Sequence, residues 1–218
     1  MLTLRAVARM RLGILFLSVW FIPVWVLTAC TAPAPRPADA ELEQRWAAHS
    51  RRLQQISFWE LRARFAVRTE AQGGQATLLW QRTPEQQRIE LQGPLGRGMV
   101  RVTQDAQGAR LLDAEQREFT AANAEALLWQ YTGWRLPVSN LEWWVRGLPV
   151  PELGSTQTLD ASGRLQMLRQ QGWDITYSRY TPVAGTTLPG YITLARVASA
   201  PEPAMELRFV IERWTGVK

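Results

Sequence analysis

Cysteine, histidine and lysine are almost missing from this 218-residue chain, which has one of each, at Cys30, His49 and Lys218. One cysteine excludes an internal disulfide. One histidine and one cysteine leave no spacing for a zinc or iron centre. Any Ser-His-Asp arrangement would have to use His49. The basic residues other than Lys218 are all arginine, spread singly except for the pair Arg51-Arg52 and not in clusters. The formal charge of +6 therefore does not read as a nucleic-acid surface. H-E-x-x-H, G-x-S-x-G and P-loop patterns are absent too. Acid pairs such as Glu115 and Glu118 can be drawn by chance. The expectation is a protein that is not an enzyme, needs no metal or cofactor, and binds no nucleic acid.

The N-terminus is rich where the rest is poor. Arg5, Arg9 and Arg11 precede an apolar run from Leu12 to Val26 with no acidic residue among them. The run closes on Leu27-Thr28-Ala29-Cys30. Small residues ending an apolar segment mark a signal-peptide cleavage site. Here they lead into the sole cysteine, which resembles the lipobox of bacterial lipoproteins. That resemblance implies cleavage before Cys30, with a diacylglycerol on its sulfur and an acyl chain on its new amino group. Two other readings remain: a membrane-spanning helix, since about 17–25 apolar residues suffice, and a plain signal peptide with an unmodified Cys30. Pro23 and the terminal small residues count against the span. Two or more chains anchor a protein stably where one does so marginally.

Removing the first 29 of 218 residues leaves 189, enough for one domain with a sizeable core. Three arginines leave with the leader, so the charge falls from +6 to +3. Of eleven tryptophans, Trp20 and Trp25 also leave, and nine remain. So many large aromatics predict a big apolar interior or an apolar ligand site. The expected organisation is a lipoprotein signal peptide at 1–29, a lipidated N-terminus and Pro/Ala-rich tether at 30–40, and one domain at 41–218. A proline-rich tether is extended at about 3.1 Å per residue, a reach of roughly 25 Å.

Residues 39–55 read as an amphipathic helix, with Leu42, Trp46, His49 and Leu53 on one face. His49 is expected at the edge of that packed face. From Trp59 the period becomes two: Trp59, Leu61, Ala63, Phe65 and Val67 face one way, and charged residues the other. Gly73-Gly74 is read as a turn. Return strands carry Ala76, Leu78 and Trp80, then Ile89 and Leu91, and further strands follow to Thr120. Asn123 is a helix cap, with the helix ending at Gly133. Ser139 and Glu142 form an S-x-x-E capping-box pattern for a short second helix. Five more strands run from Gln157 to Trp214. About eleven antiparallel strands tend to curl, giving a mainly β, open barrel with an apolar concave face that the helices can plug.

Between two strands lies Gly93-Pro94-Leu95-Gly96-Arg97-Gly98. Leu95 is its only large apolar residue. It either folds back into the core, stands exposed incidentally, or dips into a bilayer as an apolar finger. Burying one leucine is worth about 1.5–3 kcal/mol, enough to orient a tethered protein but not to anchor it. Arg97 would then meet lipid phosphates.

At this point the chain resembles the LolB family, outer-membrane lipoprotein receptors of Gram-negative bacteria. The likeness is carried by Leu27-Thr28-Ala29-Cys30, GPLG at 93–96, TAANAEALLWQYTGWRLPVSNLEWWVRGLP at 120–149, QQGWDITYSRY at 170–180 and LRFVIERW at 207–214. It implies an incomplete antiparallel β-barrel of about eleven strands, with helices covering an apolar cavity. That cavity would take the acyl chains of a lipoprotein from the periplasmic carrier LolA. The receptor, a monomer, would release its cargo into the inner leaflet of the outer membrane, against outer-membrane phospholipid. Leu95, flanked by Pro94 and Gly96, falls on the family's membrane-engaging loop. Trp46, Trp80, Trp143 or Trp144, and Trp214 fall near tryptophans around the cavity, with Ile89 beside them. Thr31 is not the aspartate that favours inner-membrane retention in enteric bacteria. The segment from Ala198 to Ala204 is longer than the family's usual hairpin. Two other classes stay open: a structural envelope lipoprotein without a cargo cavity, and an envelope hydrolase with a buried polar cluster.

Overall fold

The structure is a computed structural model that describes residues 37–94, 98–200 and 202–218. Cys30, Leu95, Gly96 and Arg97 lie outside them. A helix, α1 (Pro37–Gln54), opens the described chain. Six strands follow: β1 (Trp59–Thr69), β2 (Gly73–Arg82), β3 (Gln87–Gln92), β4 (Met99–Asp105), β5 (Gly108–Leu112) and β6 (Glu118–Ala121). Then come α2 (Ala124–Thr132) and α3 (Val138–Trp144). Five strands complete the chain: β7 (Ser155–Leu159), β8 (Leu165–Gln170), β9 (Trp173–Val183), β10 (Thr186–Arg196) and β11 (Met205–Thr215).

All eleven strands form one antiparallel sheet, ordered β6-β5-β4-β3-β2-β1-β11-β10-β9-β8-β7. Two meanders meet where β1 pairs with β11. Because β6 and β7 are the two edges, the chain must cross from one edge to the other, and α2 and α3 are that crossing. Inward residues of both meanders belong to one core together with Leu127, Leu128, Leu141 and Trp144 of the helices. The sheet therefore curls about a single apolar interior, and the crossing lies over its concave face.

Period-two patterning explains the strands. In β1 alternate residues are buried from Trp59 to Val67. The same holds in β11 for Met205, Leu207, Phe209 and Ile211. Strict alternation would then send Trp214 outward. A bulge opposite Arg62 and Ala63 inserts one extra residue, which flips the parity and aims Trp214 into the core. A second irregularity in β10 accommodates Pro189 and Gly190. With it the strand runs on from Thr186 to Arg196. The carbonyl of Pro189 accepts from Trp214 Nε1 at 2.8 Å. The long 198–204 segment still connects a regular β10–β11 pair.

Two local expectations are corrected. Gly73 and Gly74 are already strand residues. The turn is Glu70–Gln72, closed by Thr69 N–H donating to the Gln72 carbonyl at 2.8 Å. Gly74 is required for another reason: a Cβ there would lie 2.5 Å from the Trp134 ring. The Ser139/Glu142 capping box does not form. Pro137 is the N-cap, without a side-chain bond. The Ser139 N–H donates instead to Glu125 Oε1 at 2.9 Å, and Glu142 pairs with Arg82 at 2.9 Å. Tertiary partners for both residues outcompete the local motif. The α2 caps are as the sequence predicts: Asn123 Oδ1 accepts from Ala126 N–H at 2.9 Å, and Gly133 ends the helix with φ 75°.

Polar fasteners hold α3 and the segment after it. Gln170, 1% exposed, uses its whole amide. Its Oε1 accepts from Trp144 Nε1 at 2.9 Å and from Val150 N–H at 2.8 Å. Its Nε2 donates to the carbonyls of Val150 and Leu153, each at 3.0 Å. Tyr177 O–H donates to the Trp144 carbonyl at 2.9 Å. Arg146, 4% exposed, donates to the Leu53 and Ile56 carbonyls just where α1 ends, as a basic group does at a helix C-terminus. Leu42, Trp46 and His49 are half-buried and Leu53 is fully buried on the predicted face of α1. Gly163 admits the helix, since a Cβ there would strike Arg45 Cβ at 2.5 Å.

Replacing Gln170 by leucine keeps the volume and orphans four polar partners, the buried Trp144 Nε1 and three partly buried backbone groups of Val150 and Leu153. Leaving buried groups unsatisfied costs about 1–3 kcal/mol, so Gln170→Leu is expected to lower stability by about 3 kcal/mol. Urea unfolding should show an earlier midpoint at unchanged slope; an unmoved midpoint would refute the fastener. His49 supplies a pH prediction. Burial, then Arg164 and Arg52, lower its pKa from the ordinary 6.5. The unfolded chain thus binds more protons as pH falls through 6.5, and stability is lost in that direction. Wild type should lose stability relative to His49→Gln between about pH 7 and 5; parallel curves would exclude the effect.

Candidate functional site

The concave face and the helical crossing do not mesh completely. Between them lies a cavity of about 30 Å³, the volume share of roughly one water molecule. Its sheet wall is Phe65 of β1, Leu78 and Trp80 of β2, Ile89 and Leu91 of β3, and Phe209 of β11. Its helical wall is Leu128 of α2, Leu136 and Val138 at the start of α3, and Leu141 within it. Every lining residue is apolar. Such a space does not retain water, which needs polar partners. Phe65 and Phe209 face each other across the β1–β11 pair, ring centres 5.1 Å apart.

The packing on either side differs in kind. Beyond Trp80, Trp59 stands edge-on to Trp80 and to Trp214 at 5.3 and 5.7 Å. Trp80 Nε1 donates to buried Gln87 at 3.2 Å, so its polar edge is satisfied away from the cavity. On the opposite side, Leu136 lines both the cavity and a surface hollow. The hollow is formed by Glu125, Trp129, Arg135, Pro137, Arg196 and Glu202. Trp129 is 44% exposed, with the Arg135 guanidinium 3.7 Å from its ring centre. Arg196 and Glu202 pair at 2.8 Å. One leucine side chain thus stands between water and the apolar interior.

The residues expected at a cavity are dispersed by the structure. Trp80 and Ile89 line it. Trp46 is half-buried on α1. Trp143 is half-buried with the Arg146 guanidinium 4.8 Å from its ring centre. Trp144 is fully buried on Gln170, and Trp214 is buried against Trp59. Pro94 is exposed and borders a groove on the outer sheet face. Phe65, Leu78, Leu91 and Phe209 were readable as inward residues by their alternation. Nothing in that alternation separates an inward residue that lines a cavity from one that fills the core. Leu136 and Val138 lie around a proline, where no period marks a buried side chain.

Among the described residues no helix is long and apolar enough to cross a membrane. The sequence profile of the family described as outer membrane lipoprotein LolB matches residues 57–214. An outer-membrane lipoprotein LolB of Pseudomonas putida is 42% identical over 151 residues, covering 69% of this chain and 74% of that protein. The Pseudomonas aeruginosa protein of the same name gives the same identity and coverage. A solved LolA superfamily protein from Nitrosomonas europaea aligns with a TM-score of 0.44 at 7% identity, over 80% of this chain and 91% of that one. The matched segment runs from just before β1 to the end of β11 and so includes every wall of the cavity. This chain belongs to the LolB family of outer-membrane lipoproteins.

Proposed function

We propose that the protein receives lipoproteins from a LolA-type periplasmic carrier, holds their acyl chains between the concave sheet face and α2–α3, and passes them to the outer membrane. The observation that carries this reading is the wholly apolar cavity beneath the helical crossing. In the form described here the cavity is too small for an acyl chain, so the helical wall must move to admit one. The path leads past Leu136, the residue shared by cavity and surface hollow. The crossing is fastened by polar bonds at both ends, from Ala124 N–H to Gln104 Oε1 at 2.8 Å where α2 begins and around Trp144 and Arg146 where α3 ends, which leaves the stretch around Leu136 between them best placed to move.

No catalysis is required. Each CH₂ removed from water is worth about 0.8 kcal/mol, so acyl chains travel only between apolar sites. A receptor that holds the chains about 1.4 kcal/mol more tightly than the carrier draws them over tenfold. The bilayer, which binds the cargo without first opening anything, is the final sink. Cys30, carrying a diacylglycerol and an N-acyl chain, would keep a monomeric receptor on the periplasmic face of that bilayer. The Pro/Ala-rich segment ahead of α1 would let the domain reach a carrier. Leu95, between Pro94 and Gly96, would enter the membrane at release.

The test uses protein lacking residues 1–30, mixed with LolA-type carrier loaded with an acylated lipoprotein. Wild type should take the cargo and yield it to liposomes. Leu95→Glu should take it and fail to yield it. If wild type takes none, the receptor reading falls and a structural envelope lipoprotein takes its place. Val138→Phe, which fills the cavity, should weaken capture about tenfold, a difference of about 1.4 kcal/mol. Overpacking costs about 1–3 kcal/mol of stability, so a thermal melt run alongside separates a filled seat from a lost fold. Unchanged capture by a folded Val138→Phe protein would place the acyl seat elsewhere.

A further inference from the structure

The outer face of the sheet carries a second feature, unrelated to the cavity. Outward residues of β1 are Glu60, Arg62, Arg64, Ala66 and Arg68. Ala66 breaks the charged row. Across the ladder it faces Gln75 on β2 and Arg208 on β11. Its short side chain leaves a hollow of about 470 Å³, rimmed by Arg64, Arg208, Gln75, Thr77 and Gln92 and floored in part by Ala66 and Val210. Gly93 and Pro94 close one side of it. A second hollow of about 500 Å³ shares Ala66, Gln75 and Arg208 and extends to Arg68 and Glu206. The two make one shallow trough with three guanidinium groups along it.

The acids nearby restrain these arginines weakly. Arg64 lies 3.4 Å from Glu212, with side chains 71% and 42% exposed. Arg208 lies 3.0 Å from Glu206, at 46% and 39%. Ion pairs so solvated exchange partners readily. Guanidinium is the side chain best matched to phosphate oxygens. The amides of Gln75 and Gln92 and the hydroxyl of Thr77 add neutral donors. An apolar floor under such a rim fits a headgroup attached to a glycerol better than a bare ion.

We propose that this trough, at the root of the 93–98 loop, seats the phosphate headgroups of an anionic bilayer surface through Arg64, Arg68 and Arg208. The proposal rests on the reading of that loop as the membrane-facing one, and adds an ionic contact beside it. The trough is shallow and open along a sheet surface, which suits an extended lipid surface. An apolar finger and a phosphate-binding rim on one end of the sheet would fix the orientation of the domain at the moment of release. A basic residue at an anionic membrane contributes about fivefold in binding, from about 1 kcal/mol each.

The experiment uses the full lipidated chain in vesicles of phosphatidylcholine, with or without phosphatidylglycerol. Arginine modification by phenylglyoxal is read by peptide mass spectrometry. Phosphatidylglycerol should slow labelling of Arg64 and Arg208 about fivefold. Salt at 1 M, where the screening length is about 3 Å, should restore it. Arg110 and Arg169, exposed at 64% and 71% against 71% for Arg64 and 46% for Arg208, should each be labelled at the same rate in both vesicles. No slowing at Arg64 and Arg208, or equal slowing at all four, overturns the proposal. Equal protection by free glycerol 3-phosphate with phosphatidylcholine vesicles would make this a soluble-phosphate site and overturn it too. Cargo handoff from the carrier, measured without vesicles, is read separately. Its failure removes the receptor reading, whereas normal handoff without the footprint removes only the headgroup seat.

Discussion

An open sheet with one apolar face has to be covered, and the structure follows from that requirement. Eleven strands curl enough to enclose an interior but leave β6 and β7 unpaired as edges. A closed barrel would need no lid. Here the chain must travel between the two edges, and the same crossing that completes the topology supplies the lid. Cover and connection are one segment, so the lid cannot be lost without breaking the fold. It can only shift.

The fastening of that lid is uneven. At Trp144 and Arg146, buried polar bonds with Gln170, Tyr177 and the end of α1 hold it. In a dry interior such bonds have no water to replace them, so breaking any one is costly. Around Leu136 the lid meets the sheet mainly through apolar contact, and solvent reaches the outer side of the same residue. Apolar contacts are not directional. They can be exchanged for equivalent contacts with a guest chain at little cost. The same segment thus has ends held by polar bonds and an apolar middle around Leu136, distinguished by hydrogen bonding and not by length or sequence hydropathy.

Much of this was legible before the structure. Alternation fixed the inward faces of β1, β3 and β11, and Asn123 and Gly133 marked both ends of α2. Misreadings arose where a distant partner decided. Gly74 looks like a turn residue because glycine usually serves turns, yet its missing Cβ makes room for Trp134. Ser139 and Glu142 have the spacing of a capping box, yet Glu125 and Arg82 claim them. Trp214 was expected inward and is buried, but only because a bulge flips the parity of its strand. The number of tryptophans made a large apolar interior legible, although Trp129 stands at the surface. Which of them meet a cavity depends on the approach of α2 and α3, and that approach is a tertiary fact with no local period.

The small size of the cavity bears on how such a receptor works. In the closed form, Leu128, Leu136, Val138 and Leu141 occupy the place a guest would take. On the proposed reading the lid is the protein's own ligand, and cargo would bind only by displacing it. This lowers the net affinity by the contacts the lid gives up, and it protects the apolar face from water and from unwanted partners when empty. It also sets the direction of transfer. When cargo left, the lid would recover its contacts, so release would be favoured by closure as well as by the bilayer. A permanently open cavity would hold cargo more tightly and would lose that second driving force. For a protein that must give up what it binds, a self-filled seat is the more useful arrangement.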